Sequence, residues 1–209
     1  SACTSRGATW TPGNHTSWNG CVTDRDQNYD VSNTLPVNND KATQFRPDQD
    51  SYCPPAVLMP LTYDWTSLKS RIDLMTPSGA TNQPIGLVWG WQTLSAGPFT
   101  YPAEEANYTY SKAIVLMSDG LNTLDRWYGN GSDHSSQVDG RQTILCNNIK
   151  AAGITIYTIQ VNTGSDPLST ILQSCASSSD KFFTVTSANQ LLSVFTQIGT
   201  SLSKLRLSK

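Results

Sequence analysis

Two short apolar runs limit the folds open to this chain: Ala113–Met117 (AIVLM) and Ile154–Val161 (ITIYTIQV). Neither alternates apolar with polar residues, and neither is long enough for a core helix. Each therefore reads as a strand buried on both faces. Such strands belong to parallel sheets that are covered by helices.

The flanking patterns agree. Thr66–Met75 places Leu68, Ile72 and Met75 on one helical face. A second helix starts near Thr81 and Pro84, with Thr81 as N-cap and Pro84 in the first turn, and carries Ile85, Val88, Trp89 and Leu94. Residues 96–111 and Leu121–Asp139 read as loops. Arg141–Ala152 is a helix with Ile144, Leu145 and Ile149 on one side and Gly153 at its end. Asp166-Pro167 is expected to cap a helix bearing Leu168, Ile171, Leu172 and Cys175. Lys181–Val185 is a third strand, and a last helix runs from about Ser187 to Leu205. Helices alternating with strands predict a Rossmann-like, three-layer parallel sheet with helices on both faces.

The first apolar run stops at Ser118-Asp119-Gly120. In open parallel sheets ligands bind at the carboxyl ends of the strands, so Asp119 is expected on a ligand-binding rim.

Residues 1–60 are different. They are rich in turn formers (TPGN, WNG, VNND, PDQD, CPP) and show no helix pattern, so they read as a loop-rich segment ahead of an α/β domain over 61–209. A loop region of that length needs a staple or a scaffold. Of the five cysteines, Cys21 and Cys53 are the natural staple, worth about 3–4 kcal/mol in the loop-entropy model. Cys146 and Cys175 lie on successive helices around the second strand and form a plausible second pair. Cys3 is left without a partner inside the chain. The absence of a C-x-x-C pair, with only His15 and His134 as histidines, argues against a zinc site. Disulfides imply an oxidising compartment.

Charged residues make up 14% of the chain and the net charge is −2, so nothing favours nucleic acid or an anionic membrane surface. No apolar run reaches the roughly 20 residues of a membrane helix. Catalytic motifs are missing too: there is no G-x-S-x-G elbow, phosphate loop or dinucleotide fingerprint. His134 lies in a polar loop and reads as solvated, Glu104-Glu105 as a charged loop, and Asp24-Arg25-Asp26 as a local ion pair. No catalytic residue is expected. Trp10, Trp18 and Trp127 fall in loops and permit an alternative, an extracellular carbohydrate-binding or hydrolytic domain, whereas Trp89 and Trp91 are expected to be packed. Asn14, Asn107 and Asn130 head N-x-S/T sequons, which matter only in a eukaryotic secretory route.

Gly79-Ala80-Thr81 before one helix and Ser118-Asp119-Gly120 after a strand resemble two segments of the metal-ion-dependent adhesion site of von Willebrand factor A domains. Longer stretches, WNGCVTDRDQNYD (Trp18–Asp30), TNQPIGLVWGWQTLS (Thr81–Ser95), KAIVLMSDGLNT (Lys112–Thr123), CNNIKAAGITIYTIQV (Cys146–Val161) and FTQIGTSLSKLRLSK (Phe195–Lys209), resemble TadG-type proteins of the bacterial Flp, or tight-adherence, pilus system. The resemblance implies an incomplete von Willebrand factor A-like fold and a non-enzymatic role in pilus assembly or adhesion through protein partners of the cell envelope. It places the protein in the periplasm or on the extracellular face. It also implies Mg²⁺, held in part by Thr81 and Asp119. The family's first strand ends in D-x-S-x-S, which supplies further ligands, and a membrane helix precedes it. Neither is found here; Asp30-Val31-Ser32-Asn33-Thr34 lacks the apolar strand before it. On the resemblance, this is the carboxyl-terminal portion of such a protein. Two ligands fall well short of the six that Mg²⁺ takes, which puts metal binding by this stretch alone in doubt.

Overall fold

The computed structural model describes residues 15–49, 52–95, 104–164 and 167–204. A three-stranded parallel sheet, in the order β3 (Ala113–Ser118), β4 (Thr155–Val161), β5 (Phe182–Val185), forms its centre. Met117 lies opposite Ile159, and Ile159 opposite Phe183. Helices α2 (Gln83–Thr93), α3 (Ser136–Ala151) and α4 (Thr170–Cys175) cover one face. There Ile114 and Ile156 meet Leu87, Val88 and Trp91 of α2, Leu145 and Ile149 of α3, and the Cys146–Cys175 disulfide. Helix α5 (Ala188–Lys204) covers the other face, where Ile198, Leu191, Val194 and Leu202 pack on Tyr157, Ile159 and Val185. The predicted parallel sheet with helices on both faces is thus present.

Local sequence explains the element ends. Ser135 accepts from Val138 N at the start of α3, and Gly153 closes that helix at φ 78°, a conformation other residues rarely adopt. The helix begins ahead of Arg141 because Ser135 supplies a cap inside what reads as polar loop; Ile144, expected on its packed side, is exposed. Ser169, not Asp166-Pro167, caps α4 through Leu172 N; Asp166 lies outside the described residues. At α2 the cap is Asn82 rather than Thr81, its Oδ1 accepting from Ile85 N at 3.1 Å. Helix α1 (Trp65–Asp73), capped by Asp64, forms where its periodicity predicts but buries nothing, with Ile72 and Met75 exposed.

A larger correction concerns β3. Full burial is expected of it, but its only strand partner among the described residues is β4, so it forms an edge. Ile114 and Leu116 pack beneath α2, while Val115 and Met117, on the α5 side, are 36% and 48% exposed. Continuous apolarity shows that a strand can be covered on both faces. It does not say what supplies the cover.

The loop-rich segment lies on α2 and α3. Cys21–Cys53 staples it, beside a two-residue antiparallel pair, β1 (Val22–Thr23) and β2 (Arg46–Pro47). Val31, in a 3-10 turn, enters the core with α2 and α3. The expected Asp24-Arg25-Asp26 ion pair does not form. Arg25 is fully buried, donating to the Ser32, Thr34 and Thr43 carbonyls, with the Gln92 amide oxygen turned toward it. Its guanidinium is enclosed by main-chain carbonyls of the same segment, which take the place of the flanking carboxylates as acceptors. Cys3 and Trp10 lie outside the described residues.

Candidate functional site

The carboxyl end of β3 turns through Ser118-Asp119-Gly120, with the Ser118 hydroxyl bridging the Gly120 amide and carbonyl. Asp119 is exposed at this end. Thr81 arrives from the loop before α2. Its hydroxyl lies near the turn, since a β-carbon built on Gly120 would sit 4.0 Å from Thr81 Oγ1. The main chain fixes it there: Thr81 N donates to Thr123 Oγ1 (2.9 Å), and Thr81 O accepts from Thr123 N (2.9 Å) and Leu124 N (3.3 Å). The two sequence-predicted residues thus belong to one rim, the Thr81 hydroxyl beside the turn that carries Asp119.

A buried amide network supports this rim. Gln83 Nε2 donates to Gly120 O at 3.0 Å, and Gln83 N to Asn122 Oδ1 at 2.9 Å. Gln142 Nε2 donates to Gln83 Oε1, and Asn122 Nδ2 to both Gln142 Oε1 and Asp139 Oδ1. Gln83, Asn122 and Gln142 are all buried, and each amide is satisfied within the group. Asp139 then meets His134 Nε2 at 2.7 Å, so His134 is exposed but partnered rather than simply solvated. Gln142 shows how such a residue can be found in sequence: it occupies the same helix stripe as Val138, Leu145 and Ile149, where a polar side chain needs a partner.

The loop after Asp119 is tied back to the amino-terminal segment. Asp24, 4% exposed, accepts from Asn82 Nδ2 (2.8 Å) and Arg126 N (3.2 Å). Burial raises its pKa above the ordinary aspartate value, against the lowering effect of those two bonds. Arg126 donates to Asp24 O and Asp26 Oδ1, and Arg46 also holds Asp26, whose pKa is lowered by these bonds. Asp30 forms a two-pronged pair with Arg141, through Nε at 2.7 Å and NH2 at 2.6 Å, so this carboxylate is committed to structure. Gly129 closes the same loop at φ 93°, where a β-carbon would collide with Thr123 O at 2.1 Å.

No family model matches the chain, and no curated protein matches it. Solved structures of proximal thread matrix protein 1 (PTMP1) from the mussel byssus, in two crystal forms, are similar at 25% and 24% identity, each with a TM-score of 0.40. The alignments cover 67% and 68% of this chain, which spans 28% of the length of that protein.

As a donor set, a hydroxyl and a carboxylate suit a hard cation such as Mg²⁺. Among the described residues no group of three or more His, Cys, Asp or Glu side chains converges to hold a metal ion. Of the tryptophans, Trp91 is buried and Trp89 stacks against Phe45 (centroids 4.6 Å apart), as expected of packed residues. Trp18 and Trp127 are exposed, with Arg126 over the Trp127 ring at 4.3 Å. Glu104 is paired with Lys112 at 2.6 Å. Both disulfides point to an oxidising, extracellular or periplasmic location, and no described helix is long and apolar enough to cross a membrane.

Proposed function

We propose that the chain belongs to an exported, non-enzymatic protein of von Willebrand factor A, TadG type that supports pilus assembly or adhesion through protein–protein contact, with Mg²⁺ assistance. The observation that carries this reading is the approach of the Thr81 hydroxyl to the Ser118-Asp119-Gly120 turn, the two segments that the motif resemblance pairs. Thr81 and Asp119 would hold the ion, which supplies a positive centre for an acidic side chain of a partner. Since Mg²⁺ takes six oxygens, the remainder come from water, from that partner and from the upstream D-x-S-x-S segment that the resemblance implies. Among the described residues β3 pairs with β4 alone, and this edge with the exposed Val115 and Met117 leaves room for such a strand. The exposed apolar side chains of Leu58, Leu61, Trp65 and Ile72 fit a protein that packs against others.

Calorimetric titration of Mg²⁺ into the full-length protein tests the reading. Outer-shell substitutions already weaken metal sites by about 10–100-fold, so Asp119→Ala is expected to cost at least about tenfold and Thr81→Ala less. Unchanged affinity in Asp119→Ala overturns it. The exposed Trp18 and Trp127 favour a second reading, carbohydrate binding. Glycan binding that is independent of Mg²⁺ and abolished by Trp127→Ala would select it.

A further inference from the structure

The rim is assembled from two loops distant in sequence, and Asp24 contacts both. One carboxylate oxygen receives Asn82 Nδ2 and Arg126 N; Asn82 adjoins Thr81 and caps α2, and Arg126 lies within the loop that follows Asp119. The Arg126 guanidinium, close by, does not pair with this carboxylate. Arg126 instead bonds the Asp24 carbonyl (3.1 Å) and Asp26 Oδ1 (2.6 Å), and Asp26 is held in turn by Arg46 of β2. A buried carboxylate held by an amide and a main-chain N–H, with no direct ion pair, carries a desolvation cost that a surface contact avoids. What it supplies is a fixed acceptor placed between the two loops.

We propose that Asp24 is a positioning residue of the rim: it sets the Thr81 loop against the loop following Asp119, which makes the stapled amino-terminal segment a working part of the binding face. Only the metal readout of this inference rests on the function proposed above; the geometric readout does not. The contact can be reversed without changing its shape. Asn82→Asp keeps an oxygen to cap Ile85 N but sets a carboxylate against Asp24. Adding Asp24→Asn restores a donor–acceptor pair to residue 82 with the polarity inverted, but its amide nitrogen then stands where the shared oxygen was, so the bond from Arg126 N is not recovered.

Amide hydrogen exchange on the full-length protein reads the outcome at Thr81, Thr123 and Leu124, whose N–H groups bond within the rim. Asn82→Asp is expected to speed exchange at these three amides by about tenfold, while β4 stays protected, and the double variant, which regains the contact to residue 82 but not that from Arg126 N, to exchange about threefold more slowly than the single variant. Mg²⁺ affinity should fall and recover in parallel. Should Asn82→Asp fail to fold, Asp24→Ala against Asp24→Asn gives the same comparison, since only asparagine retains an acceptor. Exchange that is unchanged in Asn82→Asp, or a double variant as loose as the single, overturns the proposal. If exchange follows the expected pattern but the parent binds no Mg²⁺, Asp24 keeps its positioning role and the metal reading falls.

Discussion

Met117 and Ile159 lie side by side in the sheet on the same face, but Met117 is 48% exposed and Ile159 is 0% exposed. The contrast extends along both strands. Among the described residues β4 has a strand on each side and helices above and below, while β3 has one strand neighbour and is well covered on one face only. Similar residues thus serve different ends. β4 anchors the molecule, and β3 presents, among the described residues, an unpaired edge, the partly exposed Val115 and Met117, and a carboxyl end that leads into Asp119. Edge strands with exposed apolar side chains are normally shielded or charged, and it is on this arrangement that the further strand proposed above rests.

The contrast yields its largest prediction in that cross-strand pair. Ile159→Ala removes atoms from a filled interior and is expected to cost about 4 kcal/mol in urea unfolding; Met117→Ala, which leaves no closed cavity, is expected to cost less than about 1 kcal/mol. Equal losses would mean that Met117 is covered in solution, and would break the distinction between the strands.

The two disulfides sharpen the comparison at the next level. Their loops are nearly equal, with sequence separations of 29 for Cys146–Cys175 and 32 for Cys21–Cys53, so chain entropy alone predicts nearly equal contributions. Their surroundings differ: Cys146 and Cys175 are each 1% exposed within the core beside β4, whereas Cys21 and Cys53 are half-buried on the segment that lies over α2 and α3. Replacing Cys146 and Cys175 together by alanine should cost about 5 kcal/mol, and the same change at Cys21 and Cys53 about 3 kcal/mol. Calorimetry of both variants under non-reducing conditions checks the difference. Equal values would assign the whole effect to loop closure.

How much of this was legible in the residues follows the same division. The three strands, α5 and both cysteine pairs could be read because burial leaves periodic or continuous apolar signals, because Cys21 and Cys53 lie in a loop-rich stretch that needs a staple, and because Cys146 and Cys175 fall on successive helices. The open edge of β3 could not be read, since Val115 and Met117 look the same covered or uncovered. At the rim, Thr81 and Asp119 were marked by their loop motifs. Asp24, Asn82, Asn122 and Arg126 were not, because their partners lie far off in sequence and nothing local favours one acceptor over another. Arg25 is the clearest case: its neighbours suggested an ion pair, and tertiary structure supplied a ring of carbonyls instead.

The smallest effect separates two carboxylates of the amino-terminal segment, and its sign depends on which region each one faces. Asp24 is turned inward, and burial raises its folded-state pKa. Between the ordinary aspartate value and that raised value the folded state binds more protons than the unfolded state, so stability falls as pH rises through this window. Asp26 faces Arg126 and Arg46, and bonds to them lower its pKa. Its contribution is present above the ordinary aspartate value and is lost as pH falls toward the depressed one. Relative to the parent, Asp24→Asn should therefore be least destabilising near neutral pH and more so on acidification, whereas Asp26→Asn should show its largest loss near neutral pH. Denaturation midpoints of both variants and the parent, measured from pH 7 down to about pH 3, give the two slopes. Opposite signs follow from one acid held by an amide in the interior and the other by guanidinium groups near the surface; like signs would place Asp24 and Asp26 in the same electrostatic setting and remove the basis for treating Asp24 as the buried link between the two rim loops.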